Sequence, residues 1–379
     1  MHYISSYEKL LGILTIFALG SAEIVLAQPR IGPLCGYTPP RSEFRDLKLS
    51  ANYRYYNDQF RDNRDNVNSG SLRASFSRLL DAPAFGLSQQ ANLKLDLTRD
   101  TLNYQADGAM NVRAYLEQTN FFGFVGAEAQ GATTFISPGL RVSAGLGYGR
   151  FKDVTALSKA LKIQERLLAL KAISMPLPAA VLFELADTIG RRVEFPDLAS
   201  LVQRLEEIIE ASGFVPQGQL GAVALLRIEE IVNETADEKL CGWELRFGMG
   251  YELLDSQGGS RDWLTLASFE YALAPAPRSQ FKSSLRFSSS LALLEDYVLI
   301  AQANYAFRIS ESIDAQASYN FVRTQLKARI PLDIQSIDLR LTFQVQANLN
   351  LAIQLEFTLA SDFEEWTQGL TITANYDLF

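Results

Sequence analysis

The chain has 379 residues, 35 basic and 43 acidic side chains, a formal net charge of -8 and two cysteines. An acidic chain with no Lys/Arg patch interleaved with exposed aromatics argues against a nucleic-acid partner. Beyond the N-terminal segment no stretch reaches the ~18 apolar residues that a spanning helix needs, so any membrane crossing falls to strands.

The N-terminus reads as an export signal over residues 1–27. Lys9 precedes an apolar stretch from Leu10 to Leu19, and Val25-Leu26-Ala27 offers a cleavage site before Gln28. The apolar core is too short to be a retained anchor. The only histidine is His2, inside this segment. An exported chain without histidine loses Ser-His-Asp hydrolysis and the commonest transition-metal ligand. No catalytic residue, metal site or cofactor is expected, and the sequence points to a non-enzyme. Residues 28–46 are expected to form a periplasmic N-terminal segment that carries Cys35.

Residues 47–152 show period-two alternation, the mark of strands with two different faces. Ala91, Leu93, Leu95 and Leu97 alternate with Asn92, Lys94 and Asp96. The run from Arg61 to Asn68 offers Asp and Asn oxygens without the spacing of a calcium loop, so a solvated loop is expected. Gly145, Gly147 and Gly149 fall on one strand face, where missing side chains leave room for a bulky lumen side chain or for the helical insert.

From residue 153 to 240 the period becomes helical. Leu198, Leu201, Val202, Leu205, Ile208 and Ile209 make one apolar face, with Pro196-Asp197 as its start and Gly213 as its stop. Leu157, Ala160, Leu161 and Leu168 suggest an earlier helix, and Pro178–Ile189 and Leu220–Val232 two more. About four short helices could share a small core.

Residues 241–379 return to alternation. Trp243, Leu245, Phe247, Met249, Tyr251 and Leu253 oppose Glu244, Arg246, Gly248, Gly250 and Glu252. Tyr297 to Ile309 and Ile337 to Leu359 continue it, and the latter must fold back. A turn at Asn348-Leu349-Asn350 pairing Ala347 with Leu351 would keep both apolar faces together. About six strands precede the helical stretch and about eight follow it, within a range of roughly twelve to sixteen. The last strand, Leu370 to Phe379, is amphipathic and ends in Phe. It resembles the assembly signal of bacterial outer-membrane β-barrel (porin-like) proteins.

The expected fold class is therefore an all-β transmembrane antiparallel barrel of about fourteen strands with an inserted small all-α domain. Long strands, aromatics near strand ends and a charge-rich polar face favour lipid outside and a wet lumen. The lumen-lining candidates are Arg73, Lys94, Asp96, Arg113, Glu117, Glu128, Arg141, Arg246, Arg286, Arg308, Arg340 and Glu356. Rings of such charges set ion preference in water-filled channels, whereas in a narrow barrel they pair and fill it. Strand parity and loop lengths place the 153–240 insert in the periplasm. Cys35 and Cys241 lie just before the first and seventh strands, so a disulfide clamping the N-terminal segment to the base of the insert is expected, with free or intermolecular thiols as the alternative. The expected partners are membrane lipid and the outer-membrane assembly machinery. The expected role is a passive channel for small polar solutes, gated by the insert. The alternative is an outer-membrane anchor whose insert binds a periplasmic or cell-wall partner.

Overall fold

The computed structural model describes residues 34–376 except 40–41, 57–66, 99–100, 118, 217, 235–237, 257–261, 292–294, 311, 328, 347–348 and 364. The export signal, most of the Arg61–Asn68 run and Phe379 lie outside the described residues. The chain divides into two compact units. Among the described residues, one comprises 34–37, Ala156–Glu234 and Ala274–Ser279, the other Thr38–Thr155, Thr235–Leu273 and 280–376.

The larger unit is one sheet of 14 strands. They are β1 (Ser42–Tyr56), β2 (Val67–Asp81), β3 (Phe85–Thr98), β4 (Thr101–Tyr115), β5 (Phe121–Ala132), β6 (Gly139–Asp153) and β7 (Leu240–Leu254). β8 (Trp263–Leu273), β9 (Ser279–Ser290), β10 (Tyr297–Ser310), β11 (Ile313–Gln325), β12 (Leu332–Gln346), β13 (Leu349–Ala360) and β14 (Thr367–Tyr376) follow. Each strand neighbours the next in sequence, as an antiparallel meander. Among the described residues no ladder joins β14 to β1. Fourteen antiparallel strands with a helical insertion after the sixth is the architecture the alternation implied.

The turn between β12 and β13 differs from expectation. Leu351 pairs with Phe343, not Ala347, and a bulge falls between Gln344 and Gln346. Parity explains why this is tolerated: Phe343 and Leu351 share a face just as Ala347 and Leu351 would, so the extra residue is absorbed at the strand end.

The two faces of the sheet are chemically distinct. Leu49, Val125, Leu146, Phe247 and Ile372 are 70%, 63%, 72%, 58% and 63% exposed on the apolar parity. Aromatic pairs run across this face near both strand ends. Phe121, Tyr148, Trp243 and Phe269 form one line, with ring centroids 4.6, 5.5 and 6.2 Å apart. Tyr251–Trp263 and Phe287–Tyr297 lie at the opposite ends of their strands, 4.9 and 5.7 Å apart. Trp243 and Tyr251 sit on the same strand, separated by ~26 Å at ~3.3 Å per residue.

The polar parity lies on the concave side. Arg113 of β4 is ion-paired to Glu244 of β7, and Arg150 of β6 reaches Asp81 of β2 at 3.2 Å. On a flat sheet β4 and β7 would be ~14 Å apart and β2 and β6 ~19 Å. The sheet must curl strongly for these contacts to be made. Arg113, Glu244 and Asp81 share its inner parity, whereas Arg150, opposite Trp243 in the register, reaches Asp81 from the other parity just after Gly149, whose φ is +118°.

The smaller unit contains four helices: α1 (Thr155–Ala169), α2 (Ala179–Gly190), α3 (Leu198–Ala211) and α4 (Ala222–Asn233). Leu157, Leu167, Leu185, Leu201, Leu205, Ile209 and Ile228 are buried. α1 turns Ile163, Gln164 and Leu167 inward, and the expected Leu168 is half-buried beside them. Asp197 caps α3 by accepting from the Ser200 amide at 2.7 Å, which satisfies one of the helix's orphan donors.

Lys159 of α1 donates to the carbonyls of Val232 (2.8 Å) and Glu234 (2.9 Å), closing the C-terminal end of α4. Burial lowers its pKa from the ordinary 10.5 to about 8, with Glu234 opposing the shift. Between those values the unfolded chain binds a proton that the native state does not, so stability rises with pH through the window. The unfolding midpoint of the helices, followed by circular dichroism, should rise between about pH 8 and 10.5. Lys159→Met should flatten that rise.

Candidate functional site

The site is built on β6 and β7. Facing inward on β6 are Arg141, Ser143, Gly145, Gly147 and Gly149, and their cross-strand neighbours on β7 are Glu252, Gly250, Gly248, Arg246 and Glu244. The glycines admit two inward aromatic rings from β5. A Cβ on Gly147 would run into the Phe122 ring, and one on Gly145 would run into the β7 backbone at Phe247 and Gly248 and lie 2.8 Å from the Phe124 ring. Gly149 has φ +118°, which L side chains rarely adopt. Of the two occupants the sequence allowed for this glycine face, bulky lumen side chains fill it. Phe122 and Phe124 pack with Tyr115 into a buried aromatic cluster, Tyr115 meeting Phe122 edge-on at 5.4 Å.

Charged groups encircle this cluster. Arg113 and Glu244 are 2% and 0% exposed. Glu244 also holds Arg246 at 2.5 Å, Arg246 approaches Glu270 at 3.9 Å, and Glu270 meets Arg286 at 3.6 Å. Arg141 stands between Glu128 (3.5 Å) and Glu252 (3.6 Å). Lys282 is paired with Glu238 at 2.8 Å. The Arg150 guanidinium lies 3.9 Å from the centre of the Tyr115 ring, a cation–π contact, and ties back to Asp81.

Beside the cluster the concave face encloses a cavity of about 730 Å³, to which β2 to β11 all contribute. Arg113, Arg141, Arg246, Lys282 and Arg286 border it together with Glu128, Glu238 and Glu270. Arg78 borders it from the opposite parity of β2. Along β9, β10 and β11 the wall is neutral and polar. Ser284 donates to Gln302 at 3.4 Å, and Gln302 donates to Asn320 at 3.2 Å.

The expected lumen residues are distributed as follows. Arg113, Glu128, Arg141, Arg246 and Arg286 come together at this cavity. Arg73 and Lys94 are cross-strand neighbours lining a second hollow of about 550 Å³, and Lys94 is paired with Asp96 at 2.7 Å. Arg308 pairs with Asp314 at 3.0 Å, and Arg340 and Glu356 stand exposed on the polar parity of β12 and β13. Glu117 is exposed in the turn after β4, outside the strand. Sequence reasoning missed Glu244, Glu270, Asp81, Arg150, Phe122 and Phe124. Parity carried the signal for Glu244, since it opposes Gly149, but nothing local marks it as buried. Cys35 and Cys241 form a disulfide.

No protein-family model matches the chain, and no curated protein does. Two solved structures are similar to it over most of their length. One is a monoaromatic hydrocarbon channel, TodX with the deltaS2 mutation, at 8% identity and a TM-score of 0.26, covering 91% of this chain and 92% of that one. The other is the monoaromatic hydrocarbon channel CymD, at 9% identity and a TM-score of 0.28, covering 91% and 90%. Superposition this loose carries no functional argument.

Two substitutions test the site. Glu244→Gln leaves Arg113 and Arg246 without their shared carboxylate and should cost about 3–5 kcal/mol in urea unfolding from detergent micelles. Gly147→Val forces a side chain against Phe122 and should cost about 1–3 kcal/mol, partly recovered when Phe122→Ala is added.

Proposed function

We propose that the chain is a bacterial outer-membrane β-barrel acting as a passive channel for small polar solutes. The observation that carries this is the division of faces: exposed apolar side chains on the convex side and a polar, charged cavity of about 730 Å³ on the concave side. A water-soluble sheet would turn its apolar parity inward. A membrane barrel does the reverse and frames its apolar band with aromatic girdles. The ~26 Å along β7 between its two aromatic lines becomes ~20 Å of height at a strand tilt of ~40°, close to the ~25 Å band of such barrels. Fourteen strands, closed, fall between the ~8 that side chains fill and the 16–18 that leave an open channel. The packed Phe122–Phe124–Arg113–Glu244 region then acts as a constriction beside a wet space.

Connection lengths support a periplasmic position for the insertion. Connections after even strands are brief, at 82–84, 116–120, 274–278 and 311–312. Most of those after odd strands are longer, as at 255–262, 291–296 and 361–366. Short turns mark the periplasmic side. In this reading the helical unit modulates passage, and its deletion raises conductance. The second reading, an anchor whose helices capture a periplasmic or cell-wall partner, draws on the exposed Val223 and Leu226 of α4.

The folded protein in planar bilayers should give discrete conductance steps. Phe122→Ala with Phe124→Ala should enlarge them by opening the constriction. A folded, inserted protein that never conducts would overturn the channel.

A further inference from the structure

The cavity wall carries many charges but little uncompensated charge. Of the basic groups on its inward parity, Arg113, Arg141, Arg246, Lys282 and Arg286, each has a carboxylate within 4 Å. Those carboxylates are Glu128, Glu238, Glu244, Glu252 and Glu270. Within these pairs five positive and five negative charges cancel; Arg78, which borders the cavity from the opposite parity of β2, stands outside this balance. A solute ion would have to break one of these pairs to gain a counter-charge from them.

What the wall offers instead is hydrogen bonding. The Ser284–Gln302–Asn320 ladder uses one acceptor site and one donor hydrogen of Gln302 and one acceptor site of Asn320. An amide side chain has two donor hydrogens and an acceptor oxygen with two lone pairs, so capacity remains. On the β4–β6 side, Asn111 Oδ1 and Arg141 Nε are buried without a hydrogen-bond partner among the described residues. They occupy adjacent rows of the register, Asn111–Gly126–Ser143 and Ala109–Glu128–Arg141. One is an acceptor and the other a donor. A hydroxyl group answers both, since it donates and accepts. A carboxylate answers only the donor, and an ammonium only the acceptor. The cavity volume lies in the usual range for small-molecule sites, ~300–1,000 Å³.

We propose that this cavity is a binding site for an uncharged polyhydroxylated solute of small-saccharide size, held by Gln302 and Asn320 on one side and by Asn111 and Arg141 on the other. The proposal rests on the channel reading for the passage of that solute, but not for its binding.

The test uses the full folded chain in detergent micelles, titrated calorimetrically with maltotriose, trehalose, mannitol and citrate. At least one of the three neutral solutes should bind saturably and citrate should not. Gln302→Leu with Asn320→Leu should weaken that binding about tenfold, the loss of roughly one or two hydrogen bonds. Its unchanged heat-modifiable gel mobility would show that the fold survives. In planar bilayers under a KCl gradient the reversal potential should stay near zero. The proposal is overturned if all three neutral solutes give no saturable heat, if citrate binds as well as they do, or if the double variant binds undiminished. A strong reversal potential of either sign also overturns it, because it reveals uncompensated wall charge. Saturable binding by a protein that never conducts leaves the site standing and removes only the channel. Conductance without neutral-solute binding does the opposite.

Discussion

A pleated strand has two faces, and a residue cannot change face without shifting the register of the whole strand. In this sheet that constraint is closed by one buried ion pair. Arg113 and Glu244 stand on strands separated by two others, and they meet only because those two strands present Phe122, Phe124 and a line of glycines between them. The curvature, the inward position of the polar parity and the outward exposure of the apolar one follow together. If the glycines carried side chains, the rings could not nest, the sheet would open, and the two charges would be left apart and unpaired in a poorly solvated place.

The same arrangement decides what the interior can do. A concave face rich in single, unpaired charges would act as an ion filter. Here each arginine or lysine on the inward parity at the cavity is matched by an acid, so electrostatics serves to shape the wall more than to select ions. Pairing also fixes side-chain positions. Arg246 is held by Glu244 and Glu270, and Arg286 by Glu270, so one carboxylate orients two guanidinium groups. Fixed walls with spare amide and hydroxyl capacity suit neutral solutes that lose and regain hydrogen bonds at little net cost.

Much of this was legible in the sequence because period two and period 3.6 are global signals that survive local exceptions. Six strands before the helices and eight after them follow from alternation alone, and Asp197 before the apolar stripe of α3 announces its own cap. The glycine face of Gly145-Leu146-Gly147-Tyr148-Gly149 told that something bulky must lie opposite, though not that Phe122 and Phe124 would supply it. Charges on the polar parity could be named but not sorted. Arg113 and Arg340 look alike in the sequence, yet one is buried against Glu244 and the other is exposed. That difference depends on curvature and on cross-strand partners remote in sequence, neither of which a local pattern encodes. The β12–β13 turn eluded the sequence for a related reason: parity limits the registers, but a bulge at a strand end satisfies it as well as a longer turn.

The assignment of the two faces is what everything else depends on, and spin labels read it directly. Labels at Leu146 and Phe247, and at Ser143 and Ser268, should be compared in the folded protein reconstituted into vesicles. The account predicts that the first two are relaxed chiefly by oxygen dissolved in hydrocarbon and the second two chiefly by a water-soluble nickel complex. The opposite preference, or a folded protein that stays in solution without detergent and shields Leu146 and Phe247 from both agents, would contradict it.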